Sequence, residues 1–282
     1  MEKKSNFTTK ILILILLVGL SLLLYPSVSD YWNSFHQSRV ISRYAEEIAN
    51  MDDEQYDQLW EAAKIYNQSL IKQNDAYLFD DEQKEKYEKV LDINGSGMMG
   101  YVEIPSINCT LPIYHGIDKS VLQIAVGHLE WTSLPTGGEN THCVLTTHRG
   151  LPSAKLFTDL DKLVEGDIFM LRILDEVLTY EVDQILIVEP EDTSALHIEE
   201  GKDYCTLITC TPYGVNTHRL LVRGHRVENR EENIRVTSDA MQIEPLLVAP
   251  IVAIPILVLL VIILLLPKKS KNKHRGDDHE DM

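Results

Sequence analysis

The residues best equipped for chemistry in this 282-residue chain are a cysteine, a histidine and an arginine at the ends of short apolar runs. Cys210 closes the run YCTLITC, where alternation puts Tyr204, Thr206, Ile208 and Cys210 on one face and the following TPYG breaks the strand. A thiol at such a strand end is open to substrate, and thiolate chemistry needs that access. The same spacing suits a small buried apolar residue, which is what most free cysteines are, so position alone leaves both readings standing. His148, in LTTHRGLP, ends another apolar run at a Gly/Pro turn, and it can meet Cys210 at one rim as an acid/base. His115, His128, His142, His218 and His225 have no such placement and read as surface or hydrogen-bonded side chains. Arg219 opens the run that returns from TPYGVNTH, which brings five fixed donors near the thiol. It is either an oxyanion stabiliser or an ordinary salt-bridge partner for one of the many acids. No CxxC or HExxH spacing supports a metal site, and no cofactor is expected.

The remaining cysteines are too few for a disulfide-built scaffold, so a packed core has to stabilise the domain. Cys205 lies an odd number of positions from Cys210 and faces the other way. Cys143 stands in the same relation to His148, so if the two strands are neighbours Cys143 and Cys205 touch.

The elements that must position these residues begin at Gly100. YVEIPSI, CTLPIY, HCVLTTH, DIFMLRIL, LTYEVDQILIV, YCTLITC and HRLLVRGHRV read as strands, many of them alternating, and a closed or nearly closed β-barrel solves their edge problem. LFTDLDKLVEGD reads as one short helix ending at Gly166. Upstream, residues 38–72 read as helix, with Asp52 or Asp53 at the cap and Tyr56, Leu59, Trp60, Ala63, Tyr66 and Leu70 forming a packing face. Residues 73–99 are polar and end in NGSG, a turn signal.

The ends are apolar. From Ile11 to Leu24 every residue except Gly19 and Ser21 is a large aliphatic, preceded by Lys3, Lys4 and Lys10, and SLLLYPSVSD offers a poor cleavage site, so the segment reads as a retained anchor. Leu246 to Leu266 carries no charge and is followed by Lys268, Lys269, Lys271 and Lys273, which reads as a transmembrane helix. Pro250 and Pro255 near its start are tolerated there. Basic clusters outside both spans put both termini in the cytoplasm and the middle outside the cell. The net charge of -17 belongs mainly to that outer part, and it argues against nucleic acid as a partner while tolerating amines.

The run TLITCTPYGVNTHRLLVRGHR closely resembles the sortase signature TLxTCxP...R, and LPIYHG, GHLEWTSLPTGG and THCVLTTHRGLPSAKLFTDLDKL resemble the class C, pilus-assembling branch of that family of Gram-positive cell-wall enzymes. The resemblance covers about residues 97 to 226. It implies a mainly β fold, an eight-stranded barrel with N-terminal and short connecting helices flanked by two transmembrane helices. It implies a cysteine transpeptidase with Cys210 as nucleophile, His148 as acid/base and Arg219 as anion stabiliser, acting on pilin subunits and other LPxTG-type surface proteins. It also implies a lid, an Asp-Pro-aromatic segment covering the cysteine, whose counterparts in NDAYLFDD are Asp75 and Tyr77. Ala76 replaces the usual proline, so the turn lacks a fixed φ. The organisation expected is a cytoplasmic start (1–10), an anchor (11–28), a helical segment (29–72), lid and linker (73–96), the catalytic barrel (97–230), a linker (231–245), the second span (246–266) and a cytoplasmic tail (267–282).

Other classes fit less well. A housekeeping sortase that attaches surface proteins to peptidoglycan precursors lacks the need for a lid and a second anchor. A papain-like hydrolase requires a helix starting at the cysteine, where this chain has TPYG. A wall-anchored adhesin carries LPxTG before its C-terminal span, and IEPLLVAP is not that motif.

Overall fold

Half-buried strands leave unpaired N–H and C=O groups at every open edge, and a ring of strands removes the edges altogether. The computed structural model describes residues 2–71 and 81–229. Its strands are β1 (Met98–Ile104), β2 (Cys109–His115), β3 (Val126–His128), β4 (Thr141–Thr146), β5 (Ile168–Ile173), β6 (Glu176–Val188), β7 (Asp203–Thr211) and β8 (His218–Arg226), closed in the order β1-β2-β3-β4-β7-β8-β6-β5. The eight-stranded barrel expected from the sequence is present. β2–β3 and β4–β7 are parallel and the other pairs antiparallel.

The interior is filled from alternate positions. Cys143 and Leu145 of β4, Cys205 and Leu207 of β7, and Leu220 and Val222 of β8 join one core cluster with Phe157, Phe169 and Tyr180. The opposite face of the same three strands is apolar too: Val144, Ile208 and Leu221 pack with Leu196 in a second cluster, flanked by Leu129, Trp131, Leu186 and Val188. Gly224 is required by packing, because a Cβ there would lie 2.7 Å from the Phe169 ring and 3.0 Å from Tyr180 Cβ.

Three helices precede the barrel: α1 (Glu2–Ala49), α2 (Asp53–Ile71) and α3 (Asp81–Lys89). The helix expected over 38–72 is therefore two, broken at 50–52, where Asp52 Oδ1 accepts the Gln55 N–H at 2.8 Å and caps α2. Ala63 and Leu70 of α2 are buried, with Tyr56, Leu59, Trp60 and Tyr66 packed against the core. Tyr44 of α1 donates to Met99 O at 2.6 Å and accepts from Leu174 N at 2.9 Å, which ties α1 to β1 and to the turn after β5.

Two further expectations change. LFTDLDKLVEGD forms only a 3₁₀ turn at Leu160–Lys162, because Leu156 sits in the left-handed region (φ 43°) and Phe157 N–H is already given to His148 O. The strand YVEIPSI stops at Ile104, and Pro105–Ile107 form a 3₁₀ turn.

From Val28 on, the described residues form one compact unit, and the described residues before it belong to another. Among the described residues one helix is long and apolar enough to cross a membrane, the one running from Phe7. The second expected span, 246–266, and the expected lid residues Asp75, Ala76 and Tyr77 lie outside the described residues.

Candidate active site

β7 is rich in β-branched residues and ends where Pro212, with no N–H to donate, cannot continue the ladder. Cys210 is its penultimate residue and is half-buried, whereas Cys109, Cys143 and Cys205 are buried, and all four are free thiols. The turn after β7 is closed by Val215 N and Asn216 N donating to Pro212 O at 3.1 and 2.9 Å. Asn216 takes a left-handed φ of 62° there, a conformation asparagine tolerates. The chain then re-enters the sheet so that Arg219 pairs directly with Cys210. Paired residues on neighbouring strands project from the same face, so thiol and guanidinium share one side of the sheet. Arg219 Nη1 donates to His218 O at 3.1 Å and more weakly to Asn216 O at 3.4 Å, which anchors one corner of the guanidinium to the turn.

His148 approaches from the other side. β4 and β7 are in parallel register from Thr141↔Asp203 to Thr146↔Ile208. The pairing runs on past the named strand, with Thr147 N donating to Ile208 O at 3.3 Å and Thr209 Oγ1 to Thr147 O at 2.9 Å. Two residues beyond Thr146 and Ile208, the same register sets His148 level with Cys210. Cys210 and Arg219 therefore share one row, and the strand on the other side of Cys210 leads into His148 two residues past its end. The row faces outward, in line with Ile208 and Leu221 and away from the core residues Cys205 and Leu207. The neighbouring Ile208 and Leu221 are themselves buried, packed under Leu196.

The other histidines are engaged elsewhere. His142 is buried, its ring nitrogens 2.9 Å from His197 O and 2.7 Å from Thr206 Oγ1, and burial lowers its pKa. His115 lies between Gly97 O and Val90 O, again lowered mainly by burial. His128 is buried against Tyr87 Oη at 2.9 Å and Ser133 O at 2.8 Å. His218 pairs with Glu189 at 3.3 Å, and His225 lies 4.0 Å from Asp183. Cys143 and Cys205 are direct register partners inside the barrel, the contact expected from their parity. Burial drives the Cys205 thiol well above its ordinary range. Sequence reading missed Arg149, next to His148. Its side chain is only 8% exposed, and nothing in the one-letter code separates it from a solvated arginine.

A sortase domain model matches residues 102–227. The chain is 34% identical over 131 residues to sortase D of Bacillus subtilis (strain 168), which covers 45% of this chain and 63% of that protein. It is 29% identical over 130 residues to sortase A of Streptococcus agalactiae serotype III (strain NEM316), covering 45% of this chain and 52% of that protein. The chain thus spans between about half and 63% of the length of these two curated relatives. Among solved structures, sortase C1 from Streptococcus agalactiae is 50% identical with a TM-score of 0.67, covering 68% of this chain and 100% of that one. Sortase C of Streptococcus pneumoniae is 46% identical with a TM-score of 0.62, covering 68% and 97%.

Proposed function

Because the chain belongs to the sortase family, with class C sortases among its structural relatives, we propose that it is a cysteine transpeptidase that joins pilin subunits through an LPxTG-like sorting motif. The single observation that carries the reading is the outward row in which Cys210 stands between the strand of Arg219 and the extension of the strand leading to His148. In the proposed reaction Cys210 Sγ attacks the Thr carbonyl carbon of the motif. The carbonyl oxygen becomes an oxyanion, held by the Arg219 guanidinium and by backbone N–H groups. Collapse breaks the Thr–Gly bond, protonated His148 gives its proton to the leaving glycine amine, and a thioester remains on Cys210. An incoming lysine amine of a second pilin loses its proton to His148 and attacks the thioester carbon. An isopeptide bond forms, Cys210 leaves as the thiolate, and His148 is left protonated as at the start.

The N-terminal apolar helix supports anchorage in the membrane. The proposed arrangement is two anchors, both termini cytoplasmic and the barrel outside the cell. The relative from Streptococcus pneumoniae bears on pilin substrate specificity, which favours a pilin amine over a peptidoglycan amine as acceptor. Asp75 and Tyr77 are proposed as the lid residues that gate the thiol, a role outside the described residues.

The test incubates the full chain in detergent with a panel of LPxTG-like peptides and looks by mass spectrometry for an acyl adduct at Cys210. Pilin and a peptidoglycan amine are then supplied as competing acceptors. An adduct absent from Cys210→Ala, followed by transfer to pilin lysine, is the expected result. Near-normal polymer from a Cys210→Ala strain overturns the assignment. Transfer only to the peptidoglycan amine moves the chain to the housekeeping role.

A further inference from the structure

We infer that Arg149 is a positioning residue for this reaction, a clamp on the inner side of the sheet that holds the His148 segment against the end of β7. The inference rests on the proposed roles of Cys210 and His148. The backbone ladder between β4 and β7 runs out at Thr147 N to Ile208 O, a long bond at 3.3 Å, just before the two residues whose separation matters most. One residue further, the connection is made by side chains. Arg149 Nη1 donates to Thr211 Oγ1 at 3.2 Å, at the same 62-residue offset that relates His148 to Cys210. Within β7, Cys210 and Thr211 face opposite sides of the sheet, so the tie reaches the end of β7 from the side away from the thiol.

Two further contacts fix the guanidinium. Its Nη2 pairs with Asp161 in the 3₁₀ turn Leu160–Lys162. The Tyr213 ring, from the turn that follows Cys210, lies 5.9 Å from its central carbon. That ring also covers Gly150, where a Cβ would come within 2.8 Å of it, so the residues following His148 and Cys210 are interlocked twice. Gly150 N–H is held in turn by Thr158 Oγ1 at 3.1 Å.

Stability alone does not account for this arginine. Its side chain is only 8% exposed, and its Nε has no hydrogen-bond partner among the described residues. Desolvating a guanidinium so incompletely satisfied is costly, and buried ion pairs replaced by apolar groups of similar volume often leave stability unchanged. Asp161 is 45% exposed, so it can be rehydrated if Arg149 is removed. What an apolar replacement cannot do is hold the His148 segment to Thr211. A misplacement on the order of 1 Å at reacting groups costs about 10²-fold in rate.

The test measures kcat and KM with the full chain in detergent, on an LPxTG-type peptide with which the wild-type chain forms the Cys210 thioester. Arg149→Met keeps the volume and removes the fork, and its kcat is expected to fall by about 10- to 100-fold with KM within about twofold. Arg149→Lys, which can reach Thr211 or Asp161 but not both, is expected between Arg149→Met and wild type. Thr211→Val is isosteric and removes only the acceptor, and its kcat is expected to fall by about 3- to 10-fold. If Arg149→Met fails to fold, Thr211→Val decides alone. A kcat within twofold of wild type in Thr211→Val overturns the clamp, as does a loss in Arg149→Met that only tracks its folded fraction. Turnover persisting in Cys210→Ala overturns the underlying reaction, and the clamp with it, which separates the two failures.

Discussion

Arg219 offers the sharpest quantitative test, because it is the direct register partner of Cys210 and is held by only one corner of its guanidinium. Two independent lines give its worth. Removing one preorganised donor from a developing oxyanion costs about 10² to 10³ in rate, or roughly 2.7 to 4 kcal/mol. A unit charge about 4 Å from an oxyanion, at the effective dielectric of about 20 suited to a half-buried position, contributes about 4 kcal/mol, the upper end of that range. Arg219→Ala should therefore lower kcat for thioester formation by about 10² to 10³ while KM moves little, since the charge it stabilises exists only past the ground state. Arg219→Lys keeps the charge but not the planar fork, and should recover part of the loss. The assay is rapid quench of the acyl adduct under single-turnover conditions, which isolates bond breaking from release. A loss of less than about fivefold in Arg219→Ala, or an effect confined to KM, refutes the assignment of Arg219 to the oxyanion.

Native-state thiol titration should find Cys210 alone, and four thiols after denaturation, since Cys109, Cys143 and Cys205 are 9%, 2% and 0% exposed; a second fast native thiol contradicts this. Tyr87→Phe should destabilise the fold by about 2–6 kcal/mol in denaturant titration, because it strands both Gly116 N–H and His128 Nδ1 in the interior, each worth about 1–3 kcal/mol. Burial raises the Asp203 carboxyl above its ordinary value despite the Gly138 N–H and Tyr180 hydroxyl donated to it, so its ionised form burdens the fold. That burden is absent below the ordinary carboxylate value near ~3.9 and grows as pH rises through the folded value. The melting temperature of Asp203→Asn minus wild type should therefore increase between pH 4 and pH 7, and a flat difference refutes it.

The parts of the site legible from sequence are those joined by short connections. Cys210 and Arg219 flank a single turn, so their proximity follows from TPYG and the alternation on either side. His148 belongs to a parallel pair separated by 62 residues, and alternation says nothing about which strand lies beside which. Its position was inferable only from its standing at a strand end and from the family resemblance. β3 escaped notice because three residues, Val126–His128, carry no periodicity. The helix read into LFTDLDKLVEGD failed for a definite reason. Leu156, Phe157, Leu160 and Leu163 are all buried at helix-like spacing, but they reach the core from a segment in which Phe157 N–H serves His148 O and the donors of Thr158, Leu160, Lys162 and Leu163 close tight turns three residues back. Burial of the right residues does not specify the hydrogen bonding that buries them.

The outward placement of the chemistry follows from how the barrel is filled. Inward positions on β4, β7 and β8 hold Cys143, Leu145, Cys205, Leu207, Leu220 and Val222, a packed interior with no room for a peptide. A substrate can meet the sheet only from outside the barrel, on the side to which Cys210 and Arg219 project. The outer face of the same strands is itself packed, with Val144, Ile208 and Leu221 buried under Leu196 from the 3₁₀ turn Ser194–Leu196. β4 and β7 are consequently apolar on both faces, and this weakens the alternation signal in the two strands that matter most. Double burial has a mechanical consequence. Strands packed on both sides resist displacement, so β7 holds Cys210 firmly, whereas the stretch after Thr147 makes no further backbone bond to β7 among the described residues. That is the stretch that bears His148, and the Arg149–Thr211 tie lies where the backbone ladder stops supporting it.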